Sequence, residues 1–223
     1  MKKILLLNGS PRKNWNTHKL LLEAERGALE MGAETRLVHL FDLKNATDCK
    51  SCFACKIKGS KTNGICALRD DMRPILEYAW EADGIIIGSP VYYSNMTAPA
   101  LAYKNRLLFP VMNYDLDPAT GKYVTNLKEP KKCGLIIDGN FSAEYAEAGY
   151  GSRFETERYS FEFVFGNCEL QLVPETYQFT DYSKYHANSF DERVRAERRE
   201  KYFPIDLQNA YEMGRRIAGG NAE

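Results

Sequence analysis

No segment of the 223-residue chain approaches the roughly 20 consecutive apolar residues needed to span a bilayer, so no membrane partner is expected. Neither sign of charge prevails. The 30 Lys and Arg balance 30 Asp and Glu, and no overall field draws the chain to nucleic acid or an anionic surface. The three histidines, His18, His39 and His186, are too scattered for a catalytic triad, and no catalytic acid, base or nucleophile is assigned. Two nucleotide motifs are missing. Gly9 is followed by Ser10-Pro11-Arg12 rather than by GxGxxG, and Gly121-Lys122 lacks the upstream glycine of a triphosphate loop. The apolar run after Met1-Lys2-Lys3 is too short for a signal peptide, and Pro11-Arg12-Lys13 stands where small residues would mark cleavage. The expected location is the cytoplasm.

What is present fits one buried core. Hydrophobic residues make up 44% of the chain, and its length favours a single domain over residues 1–223. Lys2–Leu7 reads as a buried strand, Trp15–Met31 as a helix stopped by Gly32, and Thr35–Leu40 as a second strand. A helix over Met72–Glu81, capped by Asp70 or Asp71, precedes the apolar strand Gly84–Gly88. A helix over Ala98–Leu108 follows. Cys133–Ile137 and Glu169–Pro174 read as the last two strands, separated by a helix over Phe154–Phe165. Residues 109–130 form an excursion whose centre, Asp117 to Lys122, has hairpin-turn chemistry. A helical tail over 190–220 is expected to hold one helix from Asp191 to Lys201. A second runs from cap Asp206 to a stop at Gly219-Gly220. Alternating strands and helices predict an α/β three-layer sandwich on a five-stranded parallel sheet, expected in order 2-1-3-4-5.

Two loops at the strand ends carry candidate chemistry. Residues 8–17 join the first strand to the first helix, where open α/β sheets bind ligands. Backbone N–H groups and a helix dipole meet there with Ser10, Arg12, Asn14, Asn16 and Thr17. A terminal phosphomonoester fits such a loop, although the same side chains also serve as ordinary helix caps. The second loop, Pro90-Val91-Tyr92-Tyr93-Ser94-Asn95, follows the third strand, and its aromatics are suited to flank a planar ring or simply to pack.

In three pieces the chain resembles the NADPH-dependent FMN reductase group of the flavodoxin superfamily, particularly its iron–sulfur flavoprotein-like branch. These are Gly9-Ser10-Pro11-Arg12 with Asn16-Thr17; the Cys49/Cys52/Cys55/Cys66 segment running into Asp70-Asp71-Met72; and Ala82-Asp83-Gly84 running into Ser89-Pro90-Val91-Tyr92. They stand in the right order over roughly the first half of the chain. By this resemblance Ser10, Arg12, Asn14, Asn16 and Thr17 hold the phosphate and ribityl end of FMN. Pro90 to Asn95 line the isoalloxazine, and the third loop, Asp138-Gly139-Asn140, brings Gly139 to the ring. The implied chemistry takes electrons from NAD(P)H through FMN to a quinone, a flavin or another small acceptor. The alternative is a non-enzymatic carrier that docks redox proteins. A homodimer or homotetramer is expected. The chain departs from the group in the helix after the second loop, where Ala102-Tyr103-Lys104-Asn105-Arg106 replaces the usual Lys and Asp-Arg pair.

Four of the six cysteines crowd into residues 48–67. Cys49-x2-Cys52-x2-Cys55 has the compact spacing with which thiolates wrap a 4Fe-4S cubane, and Cys66 is available as fourth ligand after a longer gap. Zinc, or reduced thiols with no metal, are the other readings, and a zinc or thiol module without flavin is the third functional class. Lys50, Lys56, Lys58 and Lys61 are positioned to offset thiolate charge or to lie in solvent. Cys133 and Cys168 read as buried small hydrophobes.

Overall fold

The computed structural model describes residues 1–62 and 64–219. Strand β1 (Lys3–Asn8) leads to helix α1 (Asn16–Glu30) and strand β2 (Glu34–His39). Helix α2 (Arg73–Glu81), strand β3 (Gly84–Pro90) and helix α3 (Ala98–Leu108) follow. The excursion carries β4 (Met112–Leu116) and β5 (Tyr123–Thr125), an antiparallel pair forming its own two-stranded sheet. Strand β6 (Lys131–Asp138), the short turn α4 (Ala143–Tyr145), helix α5 (Gly151–Phe165) and strand β7 (Gly166–Val173) complete the main sheet. Helices α6 (Glu192–Lys201) and α7 (Phe203–Ala218) end the described chain. The order β2-β1-β3-β6-β7, parallel throughout, is the five-stranded arrangement expected from the strand–helix alternation.

Period-2 geometry divides the apolar strands between two cores. Leu5, Leu7, Ile85, Ile87, Leu135 and Ile137 face α2, α3 and α5, whereas Ile4, Leu6, Ile86 and Ile136 face α1 and α7. Cys133 and Cys168 are neighbours in the β6–β7 register and both are buried, as small hydrophobes would be. Burial pushes the Cys168 thiol up to about 12 and the Cys133 thiol well up as well, which leaves both unreactive.

The C-terminal segment is more than a tail, because α7 lies directly on α1 and completes the second layer. Two glycines permit this contact. A Cβ at Gly27 would stand 2.0 Å from the Tyr211 carbonyl oxygen, and one at Gly214 would stand 1.9 Å from that of Ala24. Both obstacles are backbone, so relief requires the helices to separate. Gly214→Ala is expected to destabilise the protein by about 1–3 kcal/mol, measured as a shift in urea midpoint at constant m.

Two helix starts differ from expectation. Helix α2 begins at Arg73 with Met72 at its N-cap; Asp70 accepts from the Met72 N–H at 3.2 Å just before that start but is chiefly paired with Arg106, while Asp71 accepts from the backbone of Lys44 and Asn45. Helix α7 begins at Phe203, where Pro204 favours a first turn, and Asp206 lies inside that turn bound to Arg198. Of the expected Gly219-Gly220 stop, Gly220 lies outside the described residues. Among the described residues no helix is long and apolar enough to cross a membrane.

Candidate flavin-binding site

Apolar strands that end together leave their polar successors together. The loops after β1, β3 and β6 therefore meet at one edge of the sheet, joined by the segment after β7. Backbone bonds bind them. Gly9 donates to the Gly88 carbonyl at 2.8 Å, Val91 to that of Asp138 at 2.8 Å, and Thr176 to that of Gly139 at 3.0 Å. Thr97 Oγ1 donates to the Gly9 carbonyl at 2.7 Å.

The first loop is shaped by Asn8, which is fully buried. Its Oδ1 accepts from the Ser10 N–H at 2.8 Å, and Ser10 Oγ accepts from the Arg12 N–H at 3.1 Å. With the Asn8 amide oriented by that bond, its Nδ2 points to His39 Nδ1 at 3.0 Å, which must be an unprotonated acceptor. Burial lowers the pKa of His39, and burial together with His39 lowers that of His18, whose tilted ring lies 5.0 Å away, so the neutral rings favour this arrangement. Helix α1 starts at Asn16. Among the described residues no side chain caps it, and its first turn carries no acid, which leaves its positive end available to an anion.

A pocket of about 140 Å³ opens at this point. Of the residues expected from sequence, Ser10, Arg12, Asn16, Thr17, Pro90, Val91, Tyr92 and Gly139 line it. Asn14, Tyr93, Ser94 and Asn95 stand outside its wall. Tyr93 is fully exposed with φ of 45°, and Asn95 receives a hydrogen bond from Arg153 of α5. Asn16 turns its side chain away. Its Nδ2 donates to the Tyr177 carbonyl at 3.0 Å and its Oδ1 accepts from Arg199 at 2.6 Å, so it fastens the C-terminal segment. Arg12 stacks on Trp15 and donates to the Gln178 carbonyl at 2.7 Å.

Trp15, Thr176 and Gln178 also line the pocket without being site residues by sequence reasoning, and so does Asp138, which the sequence places only within the third loop. Asp138 leaves one signal, an acid closing an apolar strand. The residues from the β7 segment leave none, since their approach depends on sheet order. Asp138 is buried, and Thr17 Oγ1 stands 2.5 Å from its Oδ1. Burial pushes this carboxyl up to about 6, against the opposing effect of the Thr17 bond.

A larger cavity lies elsewhere. A cleft of about 620 Å³ between the excursion, α3 and α5 is walled by Phe53, Phe109, Tyr114, Tyr123, Tyr159 and Phe163, with Cys49 on its lining. Its cations are engaged, Lys56 by the Phe109 and Met112 carbonyls and Lys104 by Glu157 at 2.5 Å. It offers apolar area without the free anion-binding groups of the loop pocket.

All four clustered cysteines line one small neighbouring cavity, with Cys66 buried and Cys52 exposed. Among the described residues no three His, Cys, Asp or Glu side chains close on a single metal ion. Two cations act on thiols: Lys56, one of the expected lysines, favours the charged form of Cys55, and Arg106, outside that set, places its Nε 3.3 Å from Cys66 Sγ. Arg106 is buried and paired bidentately with Asp70 at 2.5 and 2.9 Å, and it also donates to the Thr47 and Leu68 carbonyls. The acid missing from its own helix is thus supplied by the end of the cysteine segment.

A parallel five-stranded sheet with helices on both faces and an anion-ready loop after β1 defines a flavodoxin-like α/β protein. The sequence profile of the NADPH-dependent FMN reductase family matches residues 2–126. The chain belongs to that family. An iron-sulfur flavoprotein of Methanocaldococcus jannaschii is 41% identical over 96 residues, covering 43% of this chain and 47% of the relative. One from Methanosarcina thermophila is 38% identical over 104 residues, covering 47% and 51%. The chain thus spans about half the length of the curated relatives it matches. Among solved structures, an NAD(P)H:quinone oxidoreductase from Methanothermobacter marburgensis superposes with a TM-score of 0.68 at 14% identity, over 97% of this chain and 98% of that one. An FMN-dependent NADH-azoreductase from Bacillus anthracis, in complex with FMN, gives 0.65 at 14%, over 98% and 100%. These two likenesses concern the fold.

Proposed function

We propose that the protein is an FMN-containing oxidoreductase that draws electrons from NAD(P)H and delivers them to a small acceptor such as a quinone or a flavin. The observation that carries this reading is the loop pocket, where the free positive end of α1 and the side chains of Ser10, Arg12 and Thr17 converge. FMN, when bound, supplies the two-electron chemistry between nicotinamide and acceptor. The chain supplies position. Ser10, Thr17 and the first N–H groups of α1 donate to the phosphate, Arg12 adds charge, and Asn14 and Asn16 contribute backbone donors at the same turn. Pro90, Val91, Tyr92 and Gly139 border the ring, with Tyr92 facing the pocket and Tyr93 facing solvent. At about 140 Å³ the pocket takes the phosphate end and not the whole cofactor, because sites enclosing a ligand of that size run to roughly 300–1,000 Å³.

Flavin titration tests this reading. FMN should bind more tightly than FAD, since the pocket offers one monophosphate site, and a preference for FAD would contradict it. Arg12→Ala is expected to weaken FMN by about 1.5 kcal/mol, the lower end for a charge-assisted bond because Arg12 is exposed. An unchanged dissociation constant would remove Arg12 from the site.

A second reading adds a 4Fe-4S cluster held by Cys49, Cys52, Cys55 and Cys66, which makes the protein an iron–sulfur flavin electron carrier. The single cavity shared by the four thiols, with Arg106 beside Cys66 to offset thiolate charge, favours it. Anaerobic reconstitution should then give about four irons and four sulfides per chain. One zinc per chain, or no metal under the same conditions, would reject the cluster and leave the flavin reading intact.

A further inference from the structure

Thr17 has a single hydroxyl hydrogen, and the structure commits it. At 2.5 Å from Asp138 Oδ1, the Thr17 hydroxyl donates to the carboxylate whenever Asp138 is ionised. Both side chains are all but inaccessible, with residue exposures of 1% and 3%, and both line the pocket read as the phosphate site. Two difficulties follow for an anion entering there. The hydroxyl best placed to greet it points the wrong way, and a buried negative charge stands behind that hydroxyl.

No cation relieves that charge. Among the described residues Asp138 forms no ion pair, its bond to another element's side chain is the one with Thr17, and no neighbouring cation acts on its carboxyl. In the first loop Arg12 is held by the Gln178 carbonyl. On α1, the His18 ring lies beside that of His39, where burial favours its neutral form, and on α6 Arg199 is bound to Asn16. Beyond β7, Glu175 is paired with Arg195 at 2.9 Å, and on α7 Asp206 is paired with Arg198 at 2.7 Å. The loop after β3 brings Pro90, Val91 and Tyr92 to the pocket and no charge.

One proton resolves both difficulties. A protonated Asp138 donates to Thr17 Oγ1, and the Thr17 hydrogen is then free to turn to a phosphate oxygen. We propose that Asp138 is the proton-linked gate of the phosphate site: binding of a phosphomonoester flavin is coupled to protonation of Asp138, which reverses the Thr17–Asp138 hydrogen bond. This rests on the flavin reading above and adds to it a residue that acts through Thr17. The proton comes from solvent and stays on the carboxyl while the ligand is bound. The raised pKa of Asp138 brings the exchange into reach near neutral pH.

The test is the dissociation constant of FMN, and separately of riboflavin, by flavin fluorescence from pH 5 to pH 8. It is carried out on the full chain, on Asp138→Asn and on Thr17→Val. For the natural protein, FMN affinity relative to Asp138→Asn should fall by about tenfold per pH unit once the carboxyl ionises, as one linked proton requires. The second ionisation of the FMN phosphate, near pH 6, is common to both proteins and cancels in that ratio. The side-chain amide introduced by Asp138→Asn donates to Thr17 as the protonated acid does, so that variant should hold FMN tightly at high pH. Thr17→Val should weaken FMN and make the Asp138-dependent slope shallower, since the hydrogen bond is gone while the buried charge remains. Riboflavin, which lacks the phosphate, should show no such slope. Identical pH profiles for the natural protein and Asp138→Asn would overturn the gate, as would an equal slope with riboflavin. Failure of both proteins to bind FMN at any pH would overturn the flavin reading and the gate with it. Matching thermal melts at pH 5 check that the variants are folded.

Discussion

Asp70→Ala is expected to destabilise the protein by about 3–5 kcal/mol, because it strands the charge of Arg106 in the interior. The Arg106 side chain has no exposure and that of Asp70 has 13%. Burial pushes the Asp70 carboxyl up, but the hydrogen bonds and charge of Arg106, together with the backbone N–H groups of Thr47 and Met72, more than offset this and hold it below its ordinary value. The ion pair therefore contributes stability that is present above the ordinary carboxylate range and lost as pH falls through the lowered value. Urea unfolding at neutral pH measures the effect. Replacing both partners by apolar residues of similar volume should recover much of the loss, since the larger part of it arises from the uncompensated charge. A loss under about 1 kcal/mol in the single variant, the range of an exposed pair, would show that water reaches the guanidinium. The same substitution should loosen the cysteine segment, because Arg106 ties Thr47, Cys66 and Leu68 to α3.

The second large effect has the opposite sign. In the absence of ligand, Asp138→Asn is expected to raise stability at pH 8 by about 3 kcal/mol, the equivalent of a carboxyl held about two units above its ordinary value. The folded state binds the Asp138 proton more tightly than the unfolded chain does, so stability falls as pH rises from 3.8 to about 6 and stays lower beyond. The amide carries no charge and keeps a partner in Thr17, so the advantage should shrink as pH falls toward 4. Denaturant midpoints of both proteins at pH 8 and pH 4.5 provide the comparison. Equal stabilities at pH 8 would mean that the ionised carboxylate is better solvated than its burial implies. Together with the flavin titration, this separates the two consequences of one residue: a buried acid that weakens the empty fold and conditions what the pocket accepts.

Much of the candidate site is legible in the sequence because its parts are contiguous. Asn8 to Thr17 is one strand-to-helix turn, so its donors can be read from residue types and the place of the turn. The second loop is readable for the same reason, yet only Pro90, Val91 and Tyr92 reach the pocket. The left-handed backbone at Tyr93 and Ser94 turns the rest outward, a local conformation that residue type alone does not reveal. Asp206 is not the cap that its residue type suggests, because Pro204 admits an earlier start and Arg198, one helix away, claims the carboxylate.

The sequence by itself determined the five strands, most of the helices and the order in which they sheathe the sheet, because apolar period and turn chemistry act over a few residues. It also pointed to the loops after the first, third and fourth strands of the sheet, though not to the segment after the fifth. Only the tertiary structure decided that Thr17 meets Asp138 across 121 positions, that Arg106 reaches Cys66 across 40, and that Arg199 grips Asn16 across 183. Only packing, too, made the C-terminal helix a structural layer, through two glycines that let α1 and α7 touch backbone to backbone. The reason is physical. Backbone preference and hydrophobic period are properties of neighbouring residues, whereas burial, proton affinity and the choice of partner for a charge belong to the space between elements, which exists only after they have packed.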